Sequence, residues 1–333
     1  MKIALDAMGG DKAPASIIEG ARDALRKNQE IERLFLVGPG IRIRDGAAQI
    51  GLSDPRVEFI EAPEVIEMHE PGAKAIRRKK NSSISIATDL VKAGDADAVV
   101  SAGNTGAMVA AATLKLRLLD GVERAGIASP LPNEHGICNI LDSGANPEAK
   151  PRHLVQYALM GTAFARHVLG VDEPAVGLMS NGEEDEKGTA FTKETLALLR
   201  ETKGINFIGN VEGHDLFETK LDVVLCDGFT GNVVLKSVEA TAKAVAKWLK
   251  IELTRSPLRS LGAAMSRGAF AALKKKSSYE TYGGSPLLGV RGVVIIAHGS
   301  SSALAIRNAI RVACESVSHE VNPHIEAALR DLA

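Results

Sequence analysis

The stretch AVVSAGNTGA, residues 98–107, decides the fold class. Residues 98–101 form a short apolar run that suits a strand buried on both faces. A glycine-rich loop follows, and residues 105–119 then carry apolar side chains at helical spacing. Strand, small-residue loop and helix, in that order, are the unit from which parallel sheets flanked by helices are built. The same alternation runs outward both ways. Strand candidates are 3–7, 34–37, 57–61, 126–129, 137–142, 176–179, 205–208, 223–226 and 293–297. Helix candidates fall between them at 14–27, 83–92, 152–169, 191–202, 232–254 and 301–317. The expected fold is α/β, a three-layer α/β/α arrangement with a largely parallel sheet, as one unit over residues 1–333. Residues 232–276 depart from the alternation. They read as a long helix, a break at Ser256–Pro257 and a second helix from 258 to about 275, a helical hairpin standing away from the sheet.

Composition bounds the function. The 333 residues are 45% hydrophobic and 24% charged, as expected of a soluble globular chain. A formal net charge of −1 gives no global attraction to nucleic acid or anionic lipid, so any such contact needs a local patch. Three cysteines, Cys138, Cys226 and Cys314, lack metal-ligand spacing and fit a reducing compartment. The first residues run straight into KIALDA without a leader pattern, and no apolar run approaches the roughly 20 residues of a bilayer crossing. The expectation is a cytoplasmic protein, at most lying on a membrane surface.

Six loops at strand ends carry the chemistry: DAMGGD (6–11), SAGNTGA (101–107), DSGAN (142–146), SNGEEDEKG (180–188), DGFTGN (227–232) and HGSS (298–301). In an open parallel sheet the carboxyl ends of strands form the ligand crevice. Glycine there lets backbone approach a ligand, and free N–H groups at a following helix start favour an anion. One such loop is an ordinary turn; six point to an anionic substrate. The candidate binding residues are Asp6, Gly9 and Gly10, then Asn104, Thr105 and Gly106, then Asn146, Asp227, Thr230, His298 and Ser300. No loop has the Gly-Lys-Ser/Thr ending of a nucleotide-binding P-loop, and no early G-x-G-x-x-G supports a dinucleotide. No metal is expected: the acids at 183–186 read as solvated, and His319 and His324, either side of Pro323, read as structural.

Two residues suit acyl transfer to phosphate. Lys187 is a cation in an acidic turn, fit to neutralise phosphate or polarise a carbonyl, with Glu183 four residues earlier to orient it if the turn is helical. Its bland alternative is a solvated lysine in an ion pair. Asn232, after Gly231, is either a helix N-cap or an oxyanion donor. His298 either contacts ligand or hydrogen-bonds within its turn. Cys226 and Cys138 lie in apolar runs, where thiols are inert, and no G-x-S-x-G elbow is present. Direct attack by bound phosphate needs only positioning and charge stabilisation.

Taken in order, IALDAMGGDKAP (3–14), RRKKNSSI (77–84), SAGNTGA, DSGAN, KPRHLVQYALMG (150–161), NGEEDEKG, INFIGNVEG (205–213), DGFTGNVVLK (227–236), YGGSPLLG (282–289) and AHGSS (297–301) closely resemble the bacterial phosphate acyltransferase family of phospholipid synthesis. The resemblance implies attack of inorganic phosphate on a fatty acyl thioester of acyl carrier protein, giving acyl phosphate. It also implies an isocitrate/isopropylmalate dehydrogenase-like fold, a homodimer, no redox cofactor, and catalytic roles for the lysine of EKG and the asparagine of GFTGN, here Lys187 and Asn232. Ser143 of DSGAN stands where the family has an apolar residue, a departure that touches packing more than chemistry. The hairpin stripe of Leu258, Leu261, Met265 and Phe270, ringed by Arg255, Arg259, Arg267 and 274–276, fits a lipid interface. Its alternatives are burial in a dimer bundle or docking of the acidic carrier protein. The resemblance implies peripheral association with the inner face of the cell membrane and delivery of product to a membrane-embedded glycerol-3-phosphate acyltransferase. The rival readings are a phosphotransacetylase-like enzyme using acyl-CoA, a lipid-sensing scaffold without activity, and a dehydrogenase suggested by fold alone.

Overall fold

The structure, a computed structural model, describes residues 1–330 apart from the side chains at 274, 275, 277 and 279. The expected basic rim residues Lys274 and Lys275 therefore lie outside the described side chains. The described residues hold twelve strands: β1 (Lys2–Asp6), β2 (Arg33–Gly38), β3 (Val57–Glu61), β4 (Ala98–Ser101), β5 (Gly126–Ile127), β6 (Ser129–Asn133), β7 (Gly136–Leu141), β8 (Ala175–Met179), β9 (Asn206–Val211), β10 (Val223–Leu225), β11 (Ser285–Leu288) and β12 (Val293–Ile296). They form two sheets, of order β3-β2-β1-β4-β12-β11-β5 and β6-β7-β10-β8-β9. Pairing is parallel except at β11 and at β6, which run antiparallel to their neighbours.

Alternation along the strands explains the layers. In the seven-stranded sheet Ile3, Leu5, Leu34, Leu36, Ala98 and Val100 pack against the helices Ala15–Lys27, Gly40–Ile50 and Ala303–Ser318. Ala4, Phe35, Val37 and Val99 point the other way, onto Gly72–Arg78, Ser83–Ala93 and the helix from Thr105. Both faces are thus apolar and covered, which is the three-layer α/β/α arrangement expected. In the second sheet Leu141, Val176, Leu178, Val223 and Leu225 face the helices Pro151–His167, Ala190–Glu201 and Val321–Arg330. Its other face is smaller: Ile140, Val211 and Val224 meet Leu216 and the start of the long helix at Val234, Leu235 and Val238.

The second sheet was not legible as such. The candidate strand 126–129 is in fact a crossing point, where β5 closes one sheet and β6 opens the other. Pro130 and Pro132 disguise β6, and Pro286 disguises β11; proline lacks the N–H a central strand needs, and β6 is an edge strand that tolerates it. The long helix is Gly228–Leu253, starting four residues before the expected Asn232 because the Asp227 carboxylate caps it, accepting from the N–H groups of Phe229 and Thr230. Ser256 caps the next helix, Pro257–Met265, at the expected break. The second arm is divided: Ser266 separates it from Arg267–Ser277, with Gly262 and Gly268 on either side lowering helix propensity.

The two sheets are held in register by one carboxylate. Asp142 Oδ1 accepts the N–H groups of Ile127, Gly144 and Ala145 at 2.9–3.0 Å, and Oδ2 accepts that of Asn146 at 2.6 Å. Ile127 ends β5 in one sheet and Asp142 follows β7 in the other. In Asp142→Asn, whichever way the amide turns, an NH₂ group faces a backbone N–H that the carboxylate now satisfies. The expected cost is about 1–3 kcal/mol of unfolding free energy, read by urea denaturation; a midpoint equal to that of the unaltered protein would refute it.

Candidate active site

A cavity of about 310 Å³ opens where the loops of the two sheets meet the long helix. Of the candidate binding residues, Thr105, Gly106 and His298 line it, together with Asn232. Asn232 lies one turn inside the helix, with Asp227 as the cap, so its amide is not used as an N-cap. A Cβ added at Gly144 would just reach the Asn232 side chain, and the Gly144 φ of +142° lies in a region that side chains disfavour. A Cβ at Gly231 would collide with the Asp142 carbonyl, so the helix starts as close to the Asp142 loop as backbone allows.

Two charged lining residues escaped the sequence reading. Lys236 and Glu239 follow Asn232 at i+4 and i+7, on the same helix face, and Lys236 closes the quoted segment DGFTGNVVLK. Starting the helix at 228 is the signal that finds them. Lys236 Nζ lies 3.1 Å from His298 Nε2 and 3.4 Å from Glu239 Oε2. On its other side His298 Nδ1 is 2.8 Å from Ser300 Oγ and accepts the Ser300 N–H at 3.1 Å. Burial first, then the Lys236 ammonium, holds the His298 imidazole below its ordinary pKa, with Glu239 and Asp11 pulling the other way. This balance favours the neutral ring. Ser143, read as a packing departure, lies on the cavity wall: its hydroxyl is 2.6 Å from Ser129 Oγ, which is 2.9 Å from Ser285 Oγ.

The other loops use their N–H groups internally. Asp6 is buried and takes the Ser101 hydroxyl at 2.7 Å and the Met8 N–H, and burial raises its pKa. Gly9 and Gly10 serve close backbone packing, since a Cβ at Gly9 would meet Gly103 N and Asp11 N–H bonds Gly299 O at 2.8 Å. Asn104 caps the helix from Thr105 and donates to the carbonyls of Met68 and Glu70. The Asn146 amide meets His153 and Tyr157 at 3.2 Å each. Asp227 and Thr230 instead line a second cavity, of about 390 Å³, with Ser180, Asn181 and Gly188. Lys187 lines neither cavity; its turn is not helical, its side chain lies over Gly182, and it forms no ion pair with Glu183. Asp185 pairs with Arg200, while Glu183, His214 and Asp215 bring donor atoms within 4.8 Å of one another. His324 stacks on His167 at 3.5 Å between helices. Burial raises the thiols of Cys138 and Cys226 and pushes Cys314 up to about 11, leaving no thiolate at neutral pH in any of the three.

Comparisons bear on this arrangement. A family model described as "Fatty acid synthesis protein" matches residues 1–324. The chain is 61% identical to a phosphate acyltransferase of Akkermansia muciniphila, over all of this chain and 97% of that one. It is 48% identical to a phosphate acyltransferase of Pelotomaculum thermopropionicum, over all of this chain and 96% of that one. Among solved structures, a phosphotransacetylase from Streptococcus pyogenes shares the fold at TM-score 0.60 and 17% identity, covering 96% of this chain and 94% of that one. A putative 4-hydroxythreonine-4-phosphate dehydrogenase from Salmonella typhimurium does so at TM-score 0.52 and 13% identity, covering 94% and 98%. The dehydrogenase-like α/β fold is thus borne out.

Nuclear magnetic resonance should find His298 titrating below 6.5. Removing the neighbouring cation in Lys236→Met should raise that midpoint. A His298 titration at or above 6.5 in the unaltered protein would contradict the contact.

Proposed function

The chain belongs to the fatty acid synthesis protein family that includes the curated phosphate acyltransferases, and we propose that it transfers an acyl group to inorganic phosphate in the Asn232 cavity. The observation that carries the reading is the convergence of a carboxamide, a cation and a neutral imidazole on one small cavity. A phosphate oxygen attacks the thioester carbonyl carbon; the C–O bond forms and the C–S bond breaks. The proton of the phosphate monoanion passes to His298 and on to the departing sulfur, so products are acyl phosphate and a free thiol. Lys236 neutralises the phosphate, and the Asn232 amide donates to the carbonyl oxygen as it gains charge. Thr105 and Gly106 border the phosphate. Lys187, exposed and without an ion-pair partner among the described residues, serves as a second cation that meets substrate from the loop after β8.

The donor in this reading is a fatty acyl thioester of acyl carrier protein. The protein works as a homodimer at the inner face of the cell membrane, passing its product to a membrane-embedded glycerol-3-phosphate acyltransferase. Support for a surface role comes from the hairpin: Leu258, Leu261 and Met265 are 79%, 61% and 83% exposed, whereas Phe270 is half-buried and contributes less than expected. No helix among the described residues is long and apolar enough to cross a membrane. The long helix also exposes Val245, Trp248 and Ile251, apolar surface of the kind that a second copy covers.

Palmitoyl carrier protein should lose its acyl group only when phosphate is present, and faster than palmitoyl-CoA does; thioester loss independent of phosphate would refute the reaction. Asn232→Ala, Lys236→Ala and Lys187→Ala should each lower kcat/KM by at least ~100-fold. Near-normal kinetics in a folded Lys187→Ala protein would remove that lysine from the mechanism.

Replacing Leu261 and Met265 together by Glu should abolish sedimentation with anionic liposomes while leaving turnover in solution; unchanged sedimentation would rule out the interfacial role.

A further inference from the structure

A second, larger hollow adjoins the Asn232 cavity. It measures about 530 Å³, most of its exposed wall is carbon although Asn133, Glu134, Lys243 and Lys276 also line it, and it shares Pro130, Leu235 and Glu239 with the first. One wall is the long helix, where Leu235, Val238, Ala242 and Ala246 recur at helical spacing. The facing wall is β6 with Leu131 and Pro132, backed by Phe217, and Leu273 lines it from the hairpin. The same helix therefore changes character along its length, from Asn232, Lys236 and Glu239 at the polar cavity to Val238, Ala242 and Ala246 farther out, with Lys243 beside them. Leu235 and Ala246 are eleven residues apart, about 16 Å of groove at the α-helical rise.

We propose that this groove binds the hydrocarbon tail of the acyl donor, and that Ala242 and Ala246 set how long a tail is accepted. The proposal rests on the acyl-transfer reading above. The geometry supports it in three ways. A thioester carbonyl held at Asn232 lies beside an apolar hollow, which it reaches past the shared residues Pro130 and Leu235. The groove runs about 16 Å along the helix, where an acetyl group would need only the polar cavity. Most of its exposed wall is carbon, which suits a hydrocarbon chain better than a polar arm such as pantetheine. Small side chains at 242 and 246 keep it open, as alanine in an otherwise larger-residue helix face leaves a channel.

The test measures acyl transfer to phosphate over a series of carrier-protein thioesters from butyryl to palmitoyl. In the unaltered protein kcat/KM should climb by up to about fourfold per added methylene until the groove is filled. Ala242→Trp should lower the palmitoyl-to-butyryl ratio of kcat/KM by at least about tenfold. Ala246→Trp, farther out, should lower it less and move the plateau to shorter chains. A flat series, or a ratio unchanged in both variants, overturns the assignment. A palmitoyl thioester carrying a diazirine at its tail reads the site without turnover and without a variant: labels are expected on Leu131 and within 238–246, and labels confined elsewhere overturn it. Weakened self-association in Ala242→Trp with an unchanged ratio would assign the groove to a second copy instead, and also overturns it. Should the unaltered protein fail to acylate phosphate at all, the activity reading falls, and the photolabel still decides the groove alone.

Discussion

The Asp142 carboxylate is the joint on which the site depends. It gathers backbone N–H groups from the end of one sheet and from its own loop after the other. Buried N–H groups without partners are costly, so the two sheets cannot separate or slide at this point without exposing or orphaning several at once. The Asp142 carbonyl is in turn the surface on which Gly231 sits and which the Cys226 thiol approaches at 3.4 Å. Because neither Gly228 nor Gly231 has a side chain, the long helix begins in direct backbone contact with that loop. The position of Asn232 is thus fixed by a carboxylate in a different segment of the chain.

That arrangement explains why the loops misled as well as guided. Glycine-rich loops with free N–H groups at strand ends do attract anions, and the sequence points to several. In the folded chain most of those N–H groups already hold an anion or a carboxamide belonging to the protein itself: Asp6, Asp142, Asp227 and Asn104. The physical inference that an oxyanion belongs there is sound, but sequence alone does not say whether the oxyanion comes from substrate or from the neighbouring aspartate. A glycine loop that contains its own Asp or Asn at the first position is a loop that can satisfy itself, and DSGAN, DGFTGN and DAMGGD all have that form.

What could be read was whatever depends on local periodicity. Parallel strands buried on both faces declare themselves as apolar runs, and nine of those proposed outside 126–129 coincide with observed strands to within a few residues. The edge strand β6 and the short β11 stayed hidden because prolines in them mimic loops, and with them went the division into two sheets. Lys236 and Glu239 were lost through a boundary, not through chemistry. Placing the helix start at Asn232 put that residue at a cap and left its i+4 and i+7 partners without a reason to be noticed. Asp227, two hydrogen bonds into the first turn, moves the start and brings all three onto one face.

That single helix then joins properties that are usually separate. Near its start it is pinned by backbone contact and presents polar groups to a small cavity. Midway its facing residues shrink and lose polarity, leaving an apolar groove. Beyond about residue 245 its apolar side chains are exposed, and the hairpin that follows carries the most exposed leucines and methionine among the described residues. A rigid α-helix of this length transmits position with little bending, so a surface or partner that engages the hairpin also fixes the orientation of the cavity mouth. The product of acyl transfer to phosphate has a charged head and an apolar tail, and one element that grips both ends constrains the direction in which such a product leaves. The outer end of the groove, at Ala246 and Leu273, opens toward the same hairpin, so hydrocarbon leaving there meets other apolar side chains first, which lowers the area it exposes to water.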